Sequence, residues 1–164
     1  MRNALTVDVE DYFHVAAFAG QIDRATWDRF PLRVERNTHR LLDLFAERGI
    51  HATFFVLGWV AERCPVLVRA IADQGHEVAC HGYSHQLIYE QTPAVFRKET
   101  VRAKACLEDQ AQCSVLGYRA ASYSITKRSL WALDTLAELG FSYDSSIFPV
   151  RHDRYGIPGS PRWP

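Results

Sequence analysis

The 164-residue chain has no surplus of charge: nineteen basic residues balance nineteen acidic ones, for a formal net charge of zero. Such neutrality gives no electrostatic footprint for nucleic acid or an anionic membrane, so neither is expected as a partner. Long apolar runs are missing as well. No stretch approaches the roughly 20 apolar residues that cross a bilayer, so no membrane span is expected. A strand-like segment begins within a few residues of Met1, which leaves no room for an export signal and makes the cytoplasm the expected location. Cysteine is sparse: Cys64, Cys80, Cys106 and Cys113 form no CxxC pair and no regular framework. In that context they read as reduced, core-filling thiols, which excludes a disulfide scaffold. A closed structural zinc site, usually cysteine-rich, is disfavoured too.

What is present is the composition of one ordinary globular domain, 48% hydrophobic and 23% charged, without repeats or biased tracts. Strand and helix patterns alternate along it. Residues 3–9 put Leu5, Val7 and Val9 on one face of a short strand. Pro31 opens a helix in which Val34, Thr38, Leu41, Leu42 and Phe45 follow the 3.6-residue period and which Gly49 closes. Residues 51–57 (HATFFVL) have the β-branched and aromatic character of a buried strand. A second helix, with Pro65 in its first turn, stops at Gly75, and residues 76–80 form the next strand. Thr92-Pro93 starts a third helix that runs to about Gln110. A strand at 115–118, a helix at 129–139 capped by Gly140, and a strand beginning at Phe141 complete the pattern.

This alternation predicts an α/β fold with a parallel sheet or barrel, whose functional residues gather at the C-terminal ends of the strands. The connection from Glu10 to Phe30 is long for a βα loop, and such loops are often functional. Its aromatics (Tyr12, Phe13, Phe18, Trp27 and Phe30) either line a sugar site or, the favoured reading, pack the loop down. From Pro149 onward, four prolines, two glycines and three arginines carry no periodic pattern. Residues 1–150 are therefore expected to form the domain and 151–164 an irregular tail or the start of a missing segment.

The strand ends carry polar clusters. They are Asp8-Val9-Glu10-Asp11, His81-Gly82-Tyr83-Ser84-His85, Arg119 and Asp144-Ser145-Ser146. Histidines at i and i+4 share one face of a helical turn and can aim both imidazoles at one ion. Neither the HxxxH pair nor the acidic cluster is specific alone. Together they offer two nitrogens and one oxygen, the ligand set of a catalytic zinc site with a position left open. A second carboxylate nearby could serve as general base towards water.

Five segments, in order, resemble the polysaccharide deacetylase family (carbohydrate esterase family 4, the NodB-homology domain). They are LTVDVEDYF at 5–13, ATFFVLGWVAE at 52–62, GHEVACHGYSH at 75–85, GYRAASYSIT at 117–126 and GFSYDSSIFP at 140–149. DVEDYFHV and YDSSIFP resemble in particular the branch encoded beside bacterial exopolysaccharide and exosortase loci. The resemblance implies a distorted, incomplete (β/α) barrel, here truncated at the C-terminus, and a divalent metal, most simply Zn2+. It implies hydrolysis of the acetamide of an N-acetylated poly- or oligosaccharide, with release of acetate. By the same resemblance Asp8 is the general base and Arg119 the arginine that orients it. His81 and His85 are metal ligands. Val9 stands where most members carry the acidic ligand, so Glu10 is the first choice and Asp11 the second. Tyr123, Asp144 and Ser145 fall where the pocket wall is expected, with Tyr123 offering an amide or hydroxyl to an oxyanion.

The resemblance also exposes departures. The usual proline after the arginine is replaced by Ala120. The family's last motif, a leucine followed by the histidine that protonates the leaving amine, has no match; His152 comes too early and in another context. Slow or no turnover is the expectation if this chain is the whole product. Two rivals follow: an allantoinase-like hydrolase of cyclic amides, against which both histidines count, and a non-catalytic carbohydrate-binding remnant.

Overall fold

The computed structural model describes residues 4–161. Five strands, β1 (Thr6–Val9), β2 (Thr53–Val56), β3 (Glu77–Cys80), β4 (Gly117–Tyr118) and β5 (Tyr143–Asp144), form one sheet. Every neighbouring pair is parallel, and the strands lie in chain order. Parallel neighbours need crossovers, supplied by α1 (Val34–Arg48), α2 (Gly58–Arg63), α3 (Pro65–Asp73), α4 (Pro93–Ala111) and α5 (Trp131–Glu138). The result is the expected open arc of a (β/α) barrel, not closed on itself.

The period-2 alternation of the strands sorts their side chains. Phe54, Val56, Val78 and Cys80 enter a core with Leu42, Phe45, Leu67, Ile71, Phe96 and Leu107 from the helices. In β1, Thr6 and Asp8 fall on the opposite face, with Asp8 in register with Phe55. That face holds the site. Cys64 and Cys80 are buried, Cys106 is half-buried and Cys113 exposed, and all four are free. Burial pushes the Cys80 thiol up to about 12, as befits an inert core thiol.

Several boundaries differ from expectation for identifiable reasons. Residue 3 lies outside the described residues, and the first strand begins at Thr6 with Leu5 exposed. The helix expected from Pro31 begins at Val34. The helix expected with Pro65 in its first turn is α3, and a separate short helix, α2, precedes it, ending at Arg63 because Pro65 has no N–H to continue it. The Ala61 carbonyl, four residues before that proline, accepts instead from Gln110 Nε2 at 2.9 Å. Ser129 Oγ accepts the Thr126 N–H in a turn, and the last helix begins at Trp131. The long connection after β1 is ordered by three 3-10 turns, with Phe13 and Trp27 buried and Tyr12 and Phe18 exposed. The tail folds back, with the Ile157 N–H donating to the Phe148 carbonyl; residues 162–164 lie outside the described residues. Among the described residues no helix is long and apolar enough to cross a membrane.

Candidate active site

β1 ends at Val9, and the chain leaves the sheet at Glu10 and Asp11. The two carboxylates part company there. Asp11 turns towards α1: Oδ2 accepts the N–H groups of Arg33 (2.6 Å) and Val34 (2.9 Å), and Oδ1 accepts that of Tyr12 (3.0 Å). It is a helix cap delivered from 22 residues upstream, which explains why α1 starts at Val34. Glu10 turns the other way and meets the histidines. Its Oε2 lies 2.9 Å from His85 Nε2, and one ligand atom from each of Glu10, His81 and His85 falls within 4.8 Å of the others. Of the two carboxylates considered as metal ligands, Glu10 stands in the cluster and Asp11 does not.

The histidines do not share a helical turn. His81 leaves the end of β3, and the segment to His85 is an irregular loop in which Gly82 (φ +74°) and His85 (φ +51°) are left-handed. Two consecutive amides at the start of α2 pin it: Gly58 N–H donates to the Gly82 carbonyl (2.8 Å) and Trp59 N–H to that of Tyr83 (3.1 Å). Gly58 is needed at this approach, since a Cβ there would lie 2.8 Å from Tyr83 Cδ2 and 2.9 Å from Ala103 Cβ. His81 Nδ1 is 2.8 Å from the Arg119 carbonyl, which fixes the ring and leaves Nε2 for another partner. His85 Nδ1 is buried without a hydrogen-bond partner. Two imidazoles and a carboxylate so arranged fit a zinc-like divalent cation, which Glu10, His81 and His85 would hold.

Electrostatics favour the ligand forms. Burial pushes the Glu10 carboxyl up, but the hydrogen bond and charge of His85, with His81 and His14 behind it, outweigh this and hold it below the ordinary carboxylate range. Burial lowers His81, which keeps it neutral with a lone pair to give.

Beside this cluster lies Asp8, half-buried. Arg119 Nη1 donates to Asp8 Oδ1 (2.7 Å) and Thr6 Oγ1 (3.0 Å), and Nη2 donates to Ser145 Oγ (2.9 Å). The guanidinium also lies 4.0 Å over the Phe55 ring. With its head held on three sides, Arg119 presents a fixed positive charge to the carboxylate. Asp144 and Ser145 brace this pair. Asp144 accepts the Ser146 hydroxyl (2.6 Å) and amide (2.9 Å), and Ser146 Oγ accepts the Ala120 N–H at 2.7 Å. Burial raises the Asp144 carboxyl. Tyr123 has its own N–H engaged by the Ala120 carbonyl (3.0 Å), so that amide is not free for an oxyanion. Its ring packs near Phe148 and Tyr155, and both Ser122 and Tyr123 have positive φ. His152 is exposed, paired with Asp153 and stacked on Tyr155.

Two contributors were not singled out from the sequence. Thr6 carried a signal in its i, i+2 relation to Asp8, whereas Phe55 looked like any core residue. His14, which borders the acidic cluster, is buried; its Nδ1 accepts the Asp11 N–H at 2.8 Å. Burial pushes it down to about 4 from an ordinary 6.5, against the opposing charge of Glu10. The unfolded chain therefore binds a proton between those values that the folded chain refuses, and stability falls as pH drops from 6.5 towards 4. Buried His81 acts in the same sense. Thermal unfolding across that range is expected to show a falling Tm; a flat profile would contradict the buried neutral state.

Fold and site define a class: an open parallel (β/α) arc bearing a two-histidine, one-carboxylate cluster and an arginine-held aspartate at the C-terminal strand ends. More specifically, the chain belongs to the polysaccharide deacetylase family, whose sequence profile matches residues 24–143. It is 28% identical over 168 residues to a peptidoglycan-N-acetylglucosamine deacetylase of Bacillus cereus, covering 93% of this chain and 59% of the relative. A peptidoglycan deacetylase of Helicobacter pylori is 30% identical over 124 residues, with 76% and 41% covered. Among solved structures, a Mycobacterium smegmatis protein assigned to the polysaccharide deacetylases superposes with a TM-score of 0.74 at 33% identity, over 91% of this chain and 52% of that one. The chain thus spans about half the length of the relatives it matches.

Proposed function

We propose that this chain carries the centre of a metal-dependent hydrolase that removes acetyl groups from N-acetylated sugars in a poly- or oligosaccharide. The observation that carries the reading is the convergence of Glu10, His81 and His85 beside the Asp8–Arg119 pair. Glu10, His81 and His85 would hold the cation, zinc by the nature of the donors. Such an ion, when bound, supplies a Lewis acid for the acetamide carbonyl and makes water more acidic. Asp8 accepts the proton of the attacking water, while Arg119 holds that carboxylate in place. Ser145, Thr6 and the Asp144–Ser146 clamp hold Arg119 and are positioning residues. No described side chain is assigned to protonating the departing amine. The relatives named above supply the substrate class, sugars carrying N-acetyl groups.

The test is acetate release from N-acetylglucosamine oligomers by the zinc-loaded chain, after chelation, and after zinc is restored, with allantoin as the competing substrate. Release from the oligomers that stops on chelation and returns with zinc is expected. Release indifferent to chelation, or hydrolysis of allantoin in its place, would overturn the assignment.

A further inference from the structure

His81 and His85 stand in one cluster but are held by different means. His81 Nδ1 is fixed by the Arg119 carbonyl, whereas His85 Nδ1 has no partner among the described residues. A metal-binding histidine is usually oriented through its far nitrogen. With that handle missing, the aim of His85 Nε2 at Glu10 depends on its backbone. That backbone is left-handed (φ +51°). Such a conformation costs free energy in a residue with a Cβ and persists only where the surroundings over-determine it. The constraint comes from the residue before. Ser84 Oγ lies 2.8 Å from Glu99 Oε1 and 2.7 Å from Oε2, so its hydroxyl donates to the carboxylate. The Ser84 carbonyl, in turn, accepts from Arg24 Nε at 3.0 Å. Residue 84 is thus gripped from α4 and from the 3-10 turn that starts at Arg24.

Among the described residues Glu99 forms no ion pair, so its half-buried carboxylate is committed to Ser84. A hydrogen bond to an ionised acceptor is roughly twice as strong as one between neutral groups. The other side-chain brace of this loop is weaker. There the Tyr83 hydroxyl donates to Glu62, which Arg102 also engages, but these contacts are exposed, and exposed pairs contribute little in water. We propose that Glu99, acting through the Ser84 hydroxyl, is a positioning residue for the metal centre, holding His85 in the conformation from which Nε2 meets Glu10. This rests on reading Glu10, His81 and His85 as the metal ligands. It makes α4, which contributes no ligand, a determinant of cation affinity.

Zinc affinity, measured by competition with a chromophoric chelator, tests the proposal in wild type, Ser84→Ala, Glu99→Ala, the double variant and Glu99→Gln. Thermal melts of the zinc-free proteins establish that each is folded. Ser84→Ala and Glu99→Ala should each weaken zinc binding about 10–100-fold, the cost of losing a group that orients a metal ligand. The double variant should be no worse than either single one, because both break the same contact. Glu99→Gln keeps an oxygen for the hydroxyl and should restore binding to within about threefold of wild type. Smaller losses in the single variants, losses that multiply in the double variant, or Glu99→Gln as weak as Glu99→Ala would overturn the proposal. Should Glu99→Ala fail to fold, Ser84→Ala and Glu99→Gln decide it between them. A wild type that binds no zinc would sink the reading of the cluster itself, whereas zinc held equally by wild type and variants would sink only the role of Glu99.

Discussion

Asp8→Asn is expected to lower zinc-dependent acetate release by about 10²–10⁴-fold, the usual contribution of a positioned general base. The substitution is nearly isosteric. It leaves Arg119 its bonds to Thr6 and Ser145, so the site should keep its shape. Bound zinc should also persist, because Asp8 is not one of the three converging side chains. The combination is what separates a base from a ligand: activity lost, metal retained. Acetate assays and elemental analysis on the same preparation check it. A variant within a few-fold of wild type would remove Asp8 from the chemistry. Loss of zinc together with activity would make it a ligand instead.

His81→Ala should abolish stoichiometric zinc binding, and Asp11→Asn should not. Groups that merely orient a metal ligand cost about 10–100-fold in affinity when removed, so deleting a ligand outright should exceed that range. His81 is suited to such a role by burial, which disfavours its protonated form, and by the Arg119 carbonyl that fixes its ring. Asp11 offers the contrast. Its carboxylate is spent on the amides of Tyr12, Arg33 and Val34. Asp11→Asn should therefore cost about 1 kcal/mol of stability, in the range of lost helix caps, with zinc affinity unchanged. Equilibrium dialysis read beside thermal melts distinguishes the two. Zinc affinity that falls with Asp11→Asn and survives Glu10→Gln would reverse the assignment of these neighbours.

That pair of neighbours shows where a linear reading stops. Glu10 and Asp11 are equally acidic, adjacent and at the same strand end, so composition and spacing leave both open. Only the start of α1, 22 residues away in sequence, draws one of them off. The histidine pair is a related case. Its four-residue spacing suggested a helical turn, yet the ligand atoms converge through two left-handed residues in a loop held by α2. The convergence was anticipated and the geometry that produces it was not, because a short motif does not carry the backbone conformation of the segment it spans. Likewise Asp144 and Ser145 stood out as polar residues at a strand end. That they brace Arg119 follows from β4 and β5 being neighbours in the sheet.

Residue order alone determined the alternation of strands and helices, the parallel character of the sheet and the placing of its polar residues at one end. All of these follow from periodicity and from local capping and breaking signals, which act over a few residues. Which carboxylate faces the imidazoles, which side chains hold Arg119, and the grip of Glu99 on Ser84 were decided by the tertiary structure. Those features depend on contacts between segments far apart in the chain, and hydrogen-bond geometry and burial exist only once the segments have packed.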